Sequence, residues 1–201
     1  MRVIIVGHGT PGNPPPFGQD NVHLWGINAV YQDFAPEDVL RFQSWFQLHS
    51  PEYMTRHWSE DWPAHRKWLE LPHHPFPVYM QRHYEEFPRS QQFPRERIIH
   101  ELPRGNYQTC TASWLISFAI LEGYEEIVLW GINGGPGEPL AARPCLEWWL
   151  GVAVGKGIKV GARMPTDLWS SCHWAVMDGN LEYAYDPEPA LELGGNWQDR
   201  R

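Results

Sequence analysis

The sequence predicts a single α/β domain, three layers thick, with a mostly parallel sheet between two sets of helices. Three observations carry this reading. A chain of 201 residues that is 42% apolar suits one compact domain with a real core. It opens on a short continuous apolar run, Val3 to Val6, of the kind seen in a strand buried on both faces. Its last third alternates helix-length with strand-length apolar runs, the pattern of parallel strands joined by helical crossovers.

Taken in order, the first strand runs into "GHGTPGNPPPFG", where Gly7, Gly9 and Gly12 match the G-x-G-x-x-G spacing of a dinucleotide fingerprint. That fingerprint works when the loop opens straight into a helix whose amides hold a pyrophosphate. Pro11 and the run Pro14, Pro15, Pro16 remove that helix start, so neither NAD nor FAD is expected. A glycine loop at a strand's carboxyl end still suits a phosphate or nucleotide. "VHLWGINAVY" reads as a second strand ending near Asn28. "EDVLRFQSWFQLH" begins as a short helix, with Glu37 and Asp38 in its first turn, and passes into a strand around Trp45 to Leu48.

Residues 50–104 are rich in proline and aromatics and predict a long irregular insertion over the site, with a helix at Ala64 to Leu71 and a short strand at "PVYM". "TCTASWLISFAILEGY" is a helix that starts at Thr109 to Thr111 and stops at Gly123. "EEIVLWGIN" is a buried strand, "RPCLEWWLGVAVGKG" a helix closed by Gly155 or Gly157, and "IKVGAR" a further strand. The domain is expected to span residues 1–185, leaving 186–201 as an acidic, Gly/Pro-rich tail.

Composition narrows the partners. A net charge of −8 with no basic block argues against duplex nucleic acid. No apolar run approaches the roughly 20 residues of a membrane span. The three cysteines, Cys110, Cys145 and Cys172, are too scattered for a disulfide framework or a zinc ribbon, which suits a reducing cytoplasmic setting. His49, His57, His65 and His73 fall eight residues apart, but eight is not a helical repeat and prolines interrupt the run, so no metal site is expected. The twelve tryptophans fill a core or form walls on which sugars or bases stack.

Open parallel sheets bind ligands at the carboxyl ends of their strands, where strand order reverses. The segments expected there are the glycine loop with Gly7, His8, Gly9 and Thr10, then Asn28, the helix start at Cys110 and Thr111, and Gly131 to Gly137 with Asn133. Glycines admit close backbone approach, an asparagine gives paired hydrogen bonds, and a helix start holds an anion. Plain turn and cap roles account for the same asparagines and threonines. Arg143 and Glu147, four apart, either clamp a ligand or pair with each other. His49 and His173 are the candidate acid–base groups, since imidazole titrates near neutrality.

These same stretches resemble a family of uncharacterised bacteriophage proteins. More remotely they are similar to the bacterial sialyltransferases that use CMP-sialic acid, and to related Rossmann-like glycosyltransferases. There a first strand ends in G-N-G-P-S, a second in a nucleotide-binding asparagine, and a Thr-Ser-Gly helix start precedes A-I-x-x-G-Y-x-E-I and G-I-D. Asn28 matches the second-strand asparagine and Cys110-Thr111-Ala112 the helix start; His8 stands where the loop asparagine would be, and Asn133 where the aspartate would be. The resemblance implies a nucleotide or nucleotide-sugar ligand, sugar transfer to an acceptor hydroxyl, and host cytoplasm as the setting. A non-catalytic viral nucleotide-binding or assembly protein and a nucleotide hydrolase are the competing expectations.

Overall fold

Val3, Ile4, Ile5 and Val6 are each at most 1% exposed, and they alternate between two separate cores. Val3 and Ile5 face one core; Ile4 and Val6 face the other. A strand covered on both faces must lie in the middle layer of three. The structure, a computed structural model, describes residues 1–9, 14–58, 60–132, 141–163 and 168.

Among the described residues seven strands form one sheet: β1 (Arg2–Val6), β2 (Val22–Ile27), β3 (Ser44–Phe46), β4 (Val78–Met80), β5 (Ser90–Gln92), β6 (Glu126–Trp130) and β7 (Lys159–Arg163). Their order is β5-β4-β3-β2-β1-β6-β7, and every neighbouring pair is parallel. The predicted parallel neighbours β1, β6 and β7 sit side by side, with Ile4 opposite both Leu24 and Val128. The sheet is thus wholly parallel.

Helices α1 (Pro36–Val39), α2 (Pro51–His57) and α3 (Trp62–Leu69) bury Val39, Met54, Trp62 and Leu69 against one face. Helices α4 (Arg95–Glu101), α5 (Thr111–Leu121) and α6 (Ala142–Gly155) bury Ile98, Leu115, Ile116 and Trp149 against the other. The side changes because β2 to β4 step outward from β1 one way, while β6 and β7 step the other way. Helix α5 is buried almost all round, with Thr111, Ser113 and Ser117 among its covered residues. Its Ser113 and Ser117 hydroxyls are satisfied on backbone carbonyls at 2.8 Å each. Gly123 (φ +75°) ends α5, and Gly157 (φ +81°) rather than Gly155 is the left-handed residue past α6.

Residues 50–104 are not an irregular insertion. They supply α2, α3 and α4 and two strands that extend the parallel sheet to its edge. Prolines that look like breakers stand at the first turns of α2 and α3, where a missing amide costs nothing. Ser50 caps α2 by accepting from the Tyr53 amide at 3.1 Å. The segment "PVYM" is β4 as predicted, and α3 begins two residues before Ala64. Among the described residues no helix separates β1 from β2, in line with the proline reading of the loop. The tail at 186–201 lies outside the described residues.

Candidate functional site

Strand order reverses between β1 and β6, and the chain leaves both strands there as glycine-bearing loops. The two loops are laced together: the Gly7 amide donates to Trp130 O at 2.8 Å and the Gly9 amide to Gly131 O at 2.9 Å. A Cβ on Gly7 would stand 2.9 Å from Gly131 O and from Ile132 Cγ1, and one on Gly9 only 2.7 Å from Gly131 O. Close packing of two loops therefore explains both glycines without a dinucleotide.

A cleft of about 410 Å³ opens at this reversal. Gly7, His8 and Gly9 line it from β1, Asn28 from β2, and His49 and Tyr53 from beyond β3. The start of α5 contributes Thr109 to Ala112, β6 contributes Gly131, and Ile27, Ile132 and Leu146 add apolar surface. Eight sequence-predicted residues thus share one space: Gly7, His8, Gly9, Asn28, His49, Cys110, Thr111 and Gly131. Thr10, Asn133 and His173 lie outside the described residues.

Asn28 takes a left-handed backbone, φ +50°, a conformation asparagine tolerates better than most residues. Its amide donates to Phe46 O, and its carbonyl accepts from Trp45 Nε1, both at 2.9 Å. Its side-chain Oδ1 is buried and meets no donor among the described residues. An unmet buried acceptor costs about 1–3 kcal/mol, a cost that a donor reaching Oδ1 would relieve.

Cys110, and neither neighbouring threonine, is the N-cap of α5. Ser113 Oγ reaches back to accept from the amides of Thr109 and Cys110 at 3.3 and 3.4 Å. Thr109 Oγ1 donates to Ala141 O at 3.0 Å, tying the start of α5 to that of α6. Thr111 is the first helical residue, so the opening turn of an eleven-residue helix lines the cleft, its dipole favouring negative charge.

Two histidines border the same space. His49 is half-buried, stacked on Tyr53 at 4.9 Å and edge-on to Trp58 at 5.2 Å, and burial lowers its pKa. His8 is exposed at the lip, its Nδ1 3.0 Å from Asp33 Oδ2. A carboxylate on Nδ1 fixes the tautomer that leaves Nε2 as acceptor. Sequence reading had neither Asp33 nor Tyr53. Asp33 lies 25 residues from His8, and nothing in local spacing links them. Tyr53 belongs to the proline- and aromatic-rich segment that reads as a covering loop.

Arg143 and Glu147 take the other of their two roles: Nε and Oε1 stand 3.0 Å apart, and neither lines the cleft. His65 is wholly buried, its Nε2 2.9 Å from Gln47 Oε1, and burial pushes its pKa down to about 4. Its ring lies parallel to those of Tyr31 and Trp68, which stack on each other at 4.2 Å. Among the described residues no three His, Cys, Asp or Glu side chains are grouped to hold a metal ion, and no helix is long and apolar enough to cross a membrane. No protein-family model matches the chain, and neither a curated protein nor a solved structure does.

Proposed function

We propose that this protein binds a nucleotide or nucleotide-sugar in the cleft between β1 and β6 and transfers the sugar to an acceptor hydroxyl. One observation carries the reading. The reversal of strand order brings a glycine loop, an asparagine with an unspent acceptor, a helix start and a carboxylate-paired histidine into one space. About 410 Å³ falls in the range of small-molecule pockets, roughly 300–1,000 Å³.

The roles follow from chemistry. The opening turn of α5 receives the phosphate, and Asn28 Oδ1 accepts from the nucleoside. His8 Nε2, the acceptor nitrogen in the tautomer whose Nδ1–H donates to Asp33, takes the proton from the acceptor hydroxyl. The acceptor oxygen bonds to the anomeric carbon, the bond from that carbon to the phosphate oxygen breaks, and its electron pair leaves with the phosphate. The same groups suit the sialyltransferase-like resemblance of "VIIVGHGTP" and "WGINAVY". His49, stacked and less basic, is the second candidate for the base.

Calorimetry against nucleoside mono- and diphosphates and nucleotide-sugars tests the binding half. Asn28→Ala and Thr111→Ala are expected to weaken the best ligand about tenfold or more, with a small drop in melting temperature for Asn28→Ala from its left-handed backbone. Release of free nucleotide that requires an acceptor supports transfer, release without one supports hydrolysis, and binding with neither supports a non-catalytic role. Unchanged affinity in both variants would sink the site.

A further inference from the structure

A second cleft, of about 510 Å³, opens at the same end of the sheet and shares no residue with the first. Leu48 follows β3, Gln81 and Arg82 follow β4, Phe93 and Arg95 follow β5, and Trp114 comes from α5. It therefore sits at the carboxyl ends of three parallel strands, the position where such sheets hold ligands.

Its chemistry is one-sided. Two arginines line it, with no carboxylate among the lining residues. Arg2, Arg41, Arg66, Arg97 and Arg143 all pair with acids. Arg82 and Arg95, like Arg56, Arg89 and Arg104, have no carboxylate within ion-pair distance among the described residues, although the Arg82 charge is felt at Glu52. Aromatic rings hold them instead: Arg82 Cζ is 4.5 Å from the Tyr84 ring centre and Arg95 Cζ 5.9 Å from that of Trp114. A guanidinium steadied on a ring keeps its N–H fork for a planar anion. Phe93 and Trp114, edge to face at 6.0 Å, supply an apolar wall, and Gln81 is fixed by donating to Leu48 O at 2.9 Å.

We infer that this cleft binds a small organic anion, a phosphomonoester or carboxylate carried on a ring that lies against Trp114 and Phe93. The inference does not depend on what the first cleft holds. The full-length protein is titrated by calorimetry with phenyl phosphate, benzoate and the neutral benzyl alcohol, which separate phosphate, carboxylate and ring alone. At least one anion is expected to bind about tenfold or more tightly than the alcohol. Arg82→Gln and Arg95→Gln should each weaken that anion about tenfold, while Asn28→Ala leaves it unchanged. Both arginines are exposed, so the variants should melt at the wild-type temperature, and an anion-induced shift of the Trp114 indole N–H resonance gives a second readout. The inference is overturned if neither anion binds at millimolar concentration, if the alcohol binds equally well, or if both arginine variants bind as wild type does.

Discussion

His8 and Asp33 show how much one contact changes a reading. Alone, His8 is a polar residue in a glycine loop; with Asp33 at 3.0 Å it is an oriented imidazole. Replacing Asp33 with Asn removes the charge that fixes the tautomer. In the proposed transfer reaction this is expected to lower kcat about tenfold or more while affinity for the proposed nucleotide stays level. Equal kcat would return the base to His49. His65 carries a different prediction, because its pKa of about 4 lies below the ordinary 6.5. Between those values the unfolded chain binds the extra proton, so stability rises with pH through that window and is lost as pH falls from 6.5 towards 4. The cost at pH 4.5 is about 2–3 kcal/mol. Burial also lowers the pKa values of His49 and His74, which adds in the same direction. Urea unfolding of wild type and His65→Gln at pH 7 and 4.5 checks it: the variant should lose less stability over that step.

At the scale of elements, the β1 and β6 loops are tied to each other by hydrogen bonds from Gly7 to Trp130 and from Gly9 to Gly131. Gly9→Ala is therefore expected to cost about 1–3 kcal/mol through overpacking on Gly131, with or without nucleotide present. Thermal melts would show it, and an unaltered melting temperature would mean that the loops can separate cheaply. Sheet position sets a second expectation. Strand β1 has partners on both sides and cores on both faces, whereas the three-residue β5 has one neighbour. Amide exchange should thus be slowest at Val3 to Val6 and Ile127 to Leu129 and fastest, among the strands, at Ser90 to Gln92.

For the whole molecule, the sheet divides two hydrophobic clusters of the described residues, and its strands place side chains in both. Since β1, β2, β3 and β6 each place residues in both, the clusters should unfold as one unit. Ile4→Ala removes a side chain from one cluster and Ile5→Ala from the other. Each is expected to cost about 2–5 kcal/mol and to leave a single transition, coincident by tryptophan fluorescence and circular dichroism. Two transitions in either variant would show that the faces are separable.

Periodicity and punctuation were enough to place β1, β2, β6, α5, α6 and β7, because each is long or apolar enough to carry its own signal. The prolines after Gly9 likewise excluded a helix directly after β1, since a ring without an amide cannot serve that start. Residues 50–104 escaped for the opposite reason. Three-residue strands such as Ser90–Gln92 have no period to read, and proline at a helix start looks locally like proline in a loop. Pairings across the chain were decided only by packing: His8 with Asp33, Arg82 and Arg95 in one cleft, and Gly9 against Gly131. Sequence order carries information about neighbours three or four residues apart, whereas these contacts are made by strand order, which depends on how both faces of the sheet are covered.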